Sequence, residues 1–190
     1  MTRLFLIRHA EPAAGWGGEA LDPGLSDLGR EQAESAAAAL SGIGLLDVVS
    51  SPMLRCRETA APFAVQRGVA ARIEPRVSEV VAPAGVIDRR AWLRETFPWD
   101  DGVARRQWSD AAAELRDWRD ACGAALRAMS SDTAVFTHFI AINAIVSVAT
   151  NSADTIVFRP AHCSITELEI SEQGLRVVRL GREMQSADVR

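Results

Sequence analysis

At 190 residues, with a net charge of −4 and about half of its residues apolar, the chain is long enough to bury a core of its own. It is too acidic to be drawn generally to nucleic acid or to an anionic membrane surface. Lysine is absent and every basic residue is arginine, which excludes a P-loop or Schiff-base lysine and otherwise reads as codon bias. The three cysteines, Cys56, Cys122 and Cys163, are odd in number and form no Cys-x-x-Cys. Neither a disulfide framework nor a structural zinc site is expected, and a reducing compartment fits. Arg8-His9 cuts the first apolar stretch too short for a signal peptide, and no stretch reaches the roughly 18 apolar residues of a membrane span. A soluble, cytoplasmic protein is expected, one domain over residues 1–190 with no membrane or nucleic-acid partner.

In chain order, Arg3 to Ile7 reads as a buried strand. Ser26 to Ser41 reads as a helix with Ser26 as N-cap and an alanine-rich body. Asp47 to Ser50 is a short strand. Ser51-Pro52 opens a helix running to about Val65, with Ser as cap and Pro at the first helical position. Arg72 to Val77 reads as a third strand. Val80 to Gly102, with Pro83, Gly85, Pro98 and Gly102, reads as an irregular insertion holding one short helix. Arg105 to Met129 carries Trp108, Leu115, Trp118, Cys122 and Leu126 at helical spacing and reads as one long amphipathic helix. The variable cap or insertion therefore covers about 80–129. Thr133 to Thr137 is a strand running into His138, and Phe139 to Ala149 is the helix after it. Ser164 to Ile170 and Leu175 to Leu180 read as two final strands turned by Glu172-Gln173-Gly174. Alternation of β and α elements predicts a three-layer α/β sandwich.

Several chemistry-bearing residues share one setting, the point where a strand hands over to a helix or loop. Arg8 and His9 end the first strand, Arg55 follows Ser50-Ser51-Pro52, Glu79 follows the third strand, and His138 ends the strand Thr133–Thr137. Parallel strands would bring them to one rim, where open α/β sheets hold their ligands. Arg8 and Arg55 each present a planar fork suited to phosphate oxygens. Their charge disfavours a protonated imidazole and leaves His9 neutral and nucleophilic. The other ring nitrogen of His9 needs an orienting acceptor, a backbone carbonyl being the expected one. His138 stands before a helix N-terminus whose amides would add to an anion site. Glu79, given a raised pKa, would serve as general acid and then as general base.

Three stretches carry a resemblance. They are Leu6-Ile7-Arg8-His9-Ala10, Gly24-Leu25-Ser26-Asp27-Leu28-Gly29-Arg30-Glu31-Gln32-Ala33 and Ser51-Pro52-Met53-Leu54-Arg55-Cys56-Arg57-Glu58-Thr59-Ala60. Together, and with a looser match at Glu79 and Phe136-Thr137-His138, they resemble the histidine phosphatase superfamily, the phosphoglycerate-mutase-like fold. The resemblance implies a mixed, mostly parallel six-stranded sheet with helices on both faces. It implies His9 as the phosphorylated nucleophile, Arg8 and Arg55 as phosphate ligands, His138 as a further contact of the phosphoryl group and Glu79 as proton donor. It implies no metal and no cofactor. The substrate would be a small phosphorylated molecule or a phosphorylated protein side chain.

The chain departs from the family pattern at Ala10 and Phe139, where a glycine commonly follows each histidine, and at Gly15-Trp16-Gly17-Gly18, where an asparagine is common. The missing asparagine and the short chain argue against a phosphoglycerate-type mutase, and a phosphatase is expected ahead of it; a phosphate-binding regulatory module with weak catalysis is the other alternative, which Phe139 keeps open. The pocket's outer wall is expected from Gly15 to Gly24, Val80 to Gly102 and Phe139. Cysteine-phosphatase chemistry is excluded because position six after Cys56, Cys122 and Cys163 is Pro62, Ala128 and Glu169. No Asp-x-Asp follows the first strand and no H-E-x-x-H exists. Plainer readings are assigned to His162, as the start of the next strand, to Arg57, as an ion-pairing helix residue, and to Arg89, Arg90 and Arg94, as a solvated face. Trp92, Trp99, Trp108 and Trp118 are read as packing. Glu11, Glu74 and Asp88 are the alternatives to Glu79.

Overall fold

Strand β1, Thr2–Arg8, decides how the layers form, because its side chains alternate between two apolar clusters. Leu4 and Leu6 enter one cluster, with residues of helices α4 (Ala113–Arg127) and α5 (Phe139–Thr150). Phe5 and Ile7 enter the other, with residues of α1 (Asp27–Ser41) and α2 (Leu54–Arg67). Both faces of the sheet are covered, as a parallel sheet requires. The computed structural model describes residues 1–14, 22–44 and 46–185. Among them no helix is long and apolar enough to cross a membrane.

The remaining strands are β2 (Asp47–Ser50), β3 (Arg72–Ile73), β4 (Thr133–Thr137), β5 (Ile165–Ser171) and β6 (Gly174–Arg179). They lie in the order β3-β2-β4-β1-β5-β6. The first four are parallel, and β5 and β6 run antiparallel to their neighbours. This is the mixed, mostly parallel six-stranded sheet expected from the sequence. Ile7 and Ser50 both pair with Phe136, so β1, β2 and β4 end level. His9 N–H donates to the Thr137 carbonyl at 2.9 Å and Ser51 N–H to the Phe136 carbonyl at 3.0 Å. From β1 the chain leaves to α1 on one face, and from neighbouring β4 it leaves to α5 on the other. That divergence opens the crevice at a topological switch point.

Three elements differ from expectation. The third strand stops at Ile73 because Pro75 has no N–H for the ladder; Pro75–Val77 forms a 3-10 turn capped by the Glu74 carboxylate on Arg76 N–H. The second helix starts at Leu54, not at Ser51-Pro52, and its cap is supplied from afar by the Asp22 carboxylate, 2.8 Å from Leu54 N. The long helix starts at Ala113, not Arg105. Residues 106–108 instead bond to 153–155, with Trp108 N–H on the Ala153 carbonyl and Thr155 N–H on the Arg106 carbonyl, which buries Trp108 beside Phe97 and Phe139. The expected short helix of the insertion is α3, Arg89–Thr96, capped by Asp88.

Helix α1 is fixed to the turn after β1. Ser26 caps it by accepting from Gly29 N–H at 2.9 Å, and Ser26 N–H donates to the Glu11 carbonyl at 3.0 Å. That carbonyl crosses α1 so closely that a Cβ at Gly29 would stand 2.1 Å from its oxygen. Alanine favours a helix interior over glycine by about 1 kcal/mol, whereas forcing atoms into a packed contact costs ~1–3 kcal/mol. Gly29→Ala is expected to lower the urea midpoint with an unchanged slope. An unchanged or raised midpoint would show that the Glu11 turn yields without cost.

Candidate active site

Arg8 is the last residue of β1 and its side chain is fully buried. Alternation along β1 puts it on the α5 side, where its guanidinium carbon lies 5.2 Å from the centroid of the Phe139 ring, a cation–π contact. One terminal nitrogen donates to the Pro160 carbonyl at 2.9 Å and lies 3.7 Å from the Met184 sulfur. Burial pulls this guanidinium down to about 9, with Glu79 working against the shift, so it stays cationic at neutral pH. Phe139 is itself buried and meets Trp99 of the insertion edge-to-face at 5.8 Å. In place of the family's small residue the chain has a ring that backs Arg8.

His9 is 4% exposed. Its Nδ1 lies 2.8 Å from the Ala10 carbonyl oxygen. A carbonyl only accepts, so Nδ1 carries the hydrogen and Nε2 keeps its lone pair. The turn that places this carbonyl is tied to α2: Ala10 N–H donates to Thr59 Oγ1 at 2.9 Å, and that hydroxyl donates to the Arg55 carbonyl at 2.6 Å. Burial first, then the charge of Arg55, holds the imidazole well below its usual pKa. The ring stands edge-to-face with His138 at 5.2 Å and with His162 at 5.6 Å.

His138 is fully buried at the end of β4. Arg55 Nη2 lies 3.2 Å from its Nδ1, and a guanidinium only donates, so Nδ1 is the acceptor. The hydrogen is therefore on Nε2, which faces Ser51 Oγ at 2.8 Å and Cys56 Sγ at 3.3 Å. Ser51 Oγ also accepts from Met53 N–H at 3.3 Å, but α2 begins only at Leu54, with Met53 at the cap position. Burial, with Arg55 and Arg8, holds His138 well below the usual histidine range. Arg55 is buried in the first turn of α2, and its other terminal nitrogen lies 3.8 Å from the Asp22 carboxylate.

Glu79 is buried between these groups and helix α5. Its Oε1 accepts from Val80 N–H at 3.1 Å and Ala141 N–H at 3.2 Å, and its Oε2 from Ile140 N–H at 3.1 Å. Burial raises its pKa; those amide bonds, Arg55 and Arg8 oppose the rise. The amides at the start of α5 are thus engaged by Glu79. Two of the amides that the sequence reading expected to add to an anion site, those of Ile140 and Ala141, are taken by this carboxylate.

The parallel sheet brings Arg8, His9, Arg55, Glu79 and His138 to one rim. The alternative carboxylates are engaged in local contacts: Glu11 accepts from Ser26 Oγ, Asp88 caps α3, and Glu74 pairs with Arg76, which holds it down at about 2. Arg57 and Arg90 are exposed, while Arg94 lies over the Trp99 ring at 5.6 Å. Trp99 and Trp108 are buried and Trp92 and Trp118 partly so, in apolar clusters. Gly15–Gly18 lies outside the described residues. Thr59 stands inside a quoted stretch without a role, and Ser51 is read there only as a helix cap. Asp22, inside the Gly15 to Gly24 segment expected in the outer wall, has no role of its own in the sequence reading, and His162 reads there as the start of the next strand; their neighbours are 33 and 153 positions away, sequence separations over which no periodicity speaks.

Comparisons with known proteins bear on this arrangement. A curated relative, glucosyl-3-phosphoglycerate phosphatase from Mycolicibacterium vanbaalenii, is 38% identical over 82 residues, 42% of this chain and 36% of that protein. The match therefore spans little more than a third of the relative. The native structure of a mycobacterial glucosyl-3-phosphoglycerate phosphatase superposes with a TM-score of 0.76 at 20% identity, over 97% of this chain and 100% of the other. Phosphoserine phosphatase from Entamoeba histolytica, in complex with 3-phosphoglyceric acid, superposes with a TM-score of 0.72 at 18% identity, over 97% and 98%. These two likenesses show the fold. The family model of the histidine phosphatase superfamily (branch 1) matches residues 4–183, nearly the whole chain, and the chain belongs to that superfamily.

Proposed function

We propose that the chain hydrolyses small phosphomonoesters through a phosphohistidine on His9. The observation that carries the reading is the His9 tautomer: Nδ1–H is held on the Ala10 carbonyl, which leaves the Nε2 lone pair beside two buried guanidiniums. Attack by Nε2 on phosphorus forms the P–N bond as the bond to the leaving oxygen breaks. Arg8 and Arg55 meet the charge on the phosphoryl oxygens with preorganised donors, in the place a metal ion takes in metal-dependent phosphatases. His138, neutral and buried, is the further contact of that group. Glu79 supplies the proton to the leaving oxygen, its burial keeping that proton on at higher pH than for an exposed carboxyl. The relatives' names make glucosyl-3-phosphoglycerate and phosphoserine the first substrates to try.

Hydrolysis of p-nitrophenyl phosphate in EDTA tests the reading. Wild type is expected to turn over with the chelator present, and His9→Ala to lose at least about 10³-fold in kcat. Full activity in the alanine variant would overturn it.

The role of Glu79 predicts a dependence on the leaving group. A nitrophenolate departs without a proton and an alkoxide does not. Glu79→Gln is expected to cost roughly 10²-fold or more on an alkyl phosphate and far less on p-nitrophenyl phosphate. With an alkyl substrate, wild-type activity should fall as pH rises through the raised Glu79 pKa, because the donor is then lost. It should persist below pH 6, because His9 stays unprotonated well below the usual histidine value. Equal losses on both substrates would reject Glu79 as the donor.

A further inference from the structure

Two guanidiniums on one phosphate make binding easy and release hard, and a hydrolase must release inorganic phosphate at every turnover. Charge-assisted bonds from Arg8 and Arg55 form to product as well as to substrate. The two arginines differ in what they face. Arg8 is sealed against the Pro160 carbonyl and the Phe139 ring. Arg55 is paired with a carboxylate that reaches solvent.

We propose that Asp22 is an internal competitor for the phosphate site: its carboxylate shares Arg55 with the phosphoryl group, loosens the hold of that guanidinium and so eases the departure of inorganic phosphate. Three observations support this. The first is contact. Arg55 Nη1 lies 3.8 Å from Asp22 Oδ1, while Nη2 lies 3.2 Å from His138 Nδ1, so one guanidinium serves both the carboxylate and the site. The pair is longer than a hydrogen bond, and its effect is one of charge, which still acts at that distance. The second is placement. Both oxygens of Asp22 approach Leu54 N, at 2.8 and 3.0 Å, at the first residue of α2 and one position before Arg55. The segment behind it is held to the same helix by Leu25 N–H on Glu58 Oε2 at 2.6 Å. The third is access. The Asp22 side chain is 40% exposed and that of Arg55 only 6%. The carboxylate can therefore yield Arg55 to a phosphoryl group at little cost, because water solvates it in exchange.

The inference rests on the proposed function, in which Arg55 is a ligand of the phosphoryl group. Capping of α2 does not account for the charge of Asp22. A cap asks only for an oxygen on Leu54 N–H, and asparagine supplies that as well as aspartate does. The charge has a separate consequence. With a phosphate dianion on Arg55, Asp22 is a like charge on the far side of a shared cation. It raises the free energy of the substrate and product complexes alike, so its removal should tighten both. Exposure to water keeps the effect moderate, and added salt should erase it.

Calorimetric titration of inorganic phosphate into wild type, Asp22→Asn and Asp22→Ala, at ionic strengths of about 0.01 M and about 1 M, tests the assignment. Both variants are expected to bind phosphate roughly fivefold more tightly at low salt and close to wild type at high salt. The KM for p-nitrophenyl phosphate should fall by a similar factor without a rise in kcat, because the gain is shared by ground and transition states. Only Asp22→Ala should lower the urea midpoint, since it alone loses the oxygen on Leu54 N–H. Phosphate affinity in Asp22→Asn that is weaker than wild type, or within about twofold of it, would overturn the assignment. So would a loss of kcat at unchanged affinity, which would make Asp22 a group that orients Arg55 for the chemistry. The titration needs no turnover, so the two readings fail separately. Hydrolysis by His9→Ala would sink the phosphohistidine, and the phosphate affinities would still decide the role of Asp22.

Discussion

A guanidinium sealed at the end of a central parallel strand is the constraint on which the rest of this structure depends. Burying an unpaired cation is expensive, and Arg8 is surrounded by groups that offset the expense: the Pro160 carbonyl, the face of Phe139 and the nearby Glu79 carboxyl. Each arrives from a different part of the chain. Pro160 brings the loop before β5, Phe139 begins α5 after β4, and Glu79 follows the 3-10 turn after β3. The set that stabilises Arg8 is also the wall of the candidate site, so the solution to a folding problem and the assembly of a phosphoryl pocket are the same contacts. Phe139 extends the coupling outward, since its other edge meets Trp99 of the insertion, over which Arg94 lies.

Burial acts on the titrating groups of the site in one direction, towards neutrality, and that direction suits opposite roles. It lowers His9 and His138, leaving a lone pair on each imidazole, and it raises Glu79, keeping a proton on the carboxyl. The arginines remain charged and reinforce the first effect while opposing the second. A base and an acid thus coexist in one cavity, set apart by environment. The same reasoning makes Cys56 inert despite its contact with His138, because burial pushes its thiol up, away from the thiolate that reacts.

Much of the architecture was legible in the chain. The apolar run Leu4 to Ile7, the Ser26 cap and the short β2 and β4 runs are signals carried within a few residues, and the structure places those elements where the signals stand. Reading failed where a distant partner won over a local preference. Ser51 accepts from His138 Nε2–H, and α2, which begins three residues later, takes its cap from Asp22. Pro75 broke a ladder that the apolar pattern alone would have continued. Residues 106–108 bond to 153–155, and the tryptophan spacing that looked helical was satisfied by a different cluster.

The sequence by itself determined which residues could do phosphoryl chemistry and that, if their strands ran parallel, Arg8, His9, Arg55, Glu79 and His138 would meet at one rim. Strand ends and caps are written in neighbouring residues, and a parallel sheet turns their order into a common rim. Only the tertiary structure decided which nitrogen of each histidine holds its hydrogen, that the first amides of α5 belong to Glu79, and that His162 faces His9. Those outcomes depend on hydrogen bonds and ring contacts fixed to within an ångström between residues far apart in the chain, and nothing local in the sequence encodes such distances.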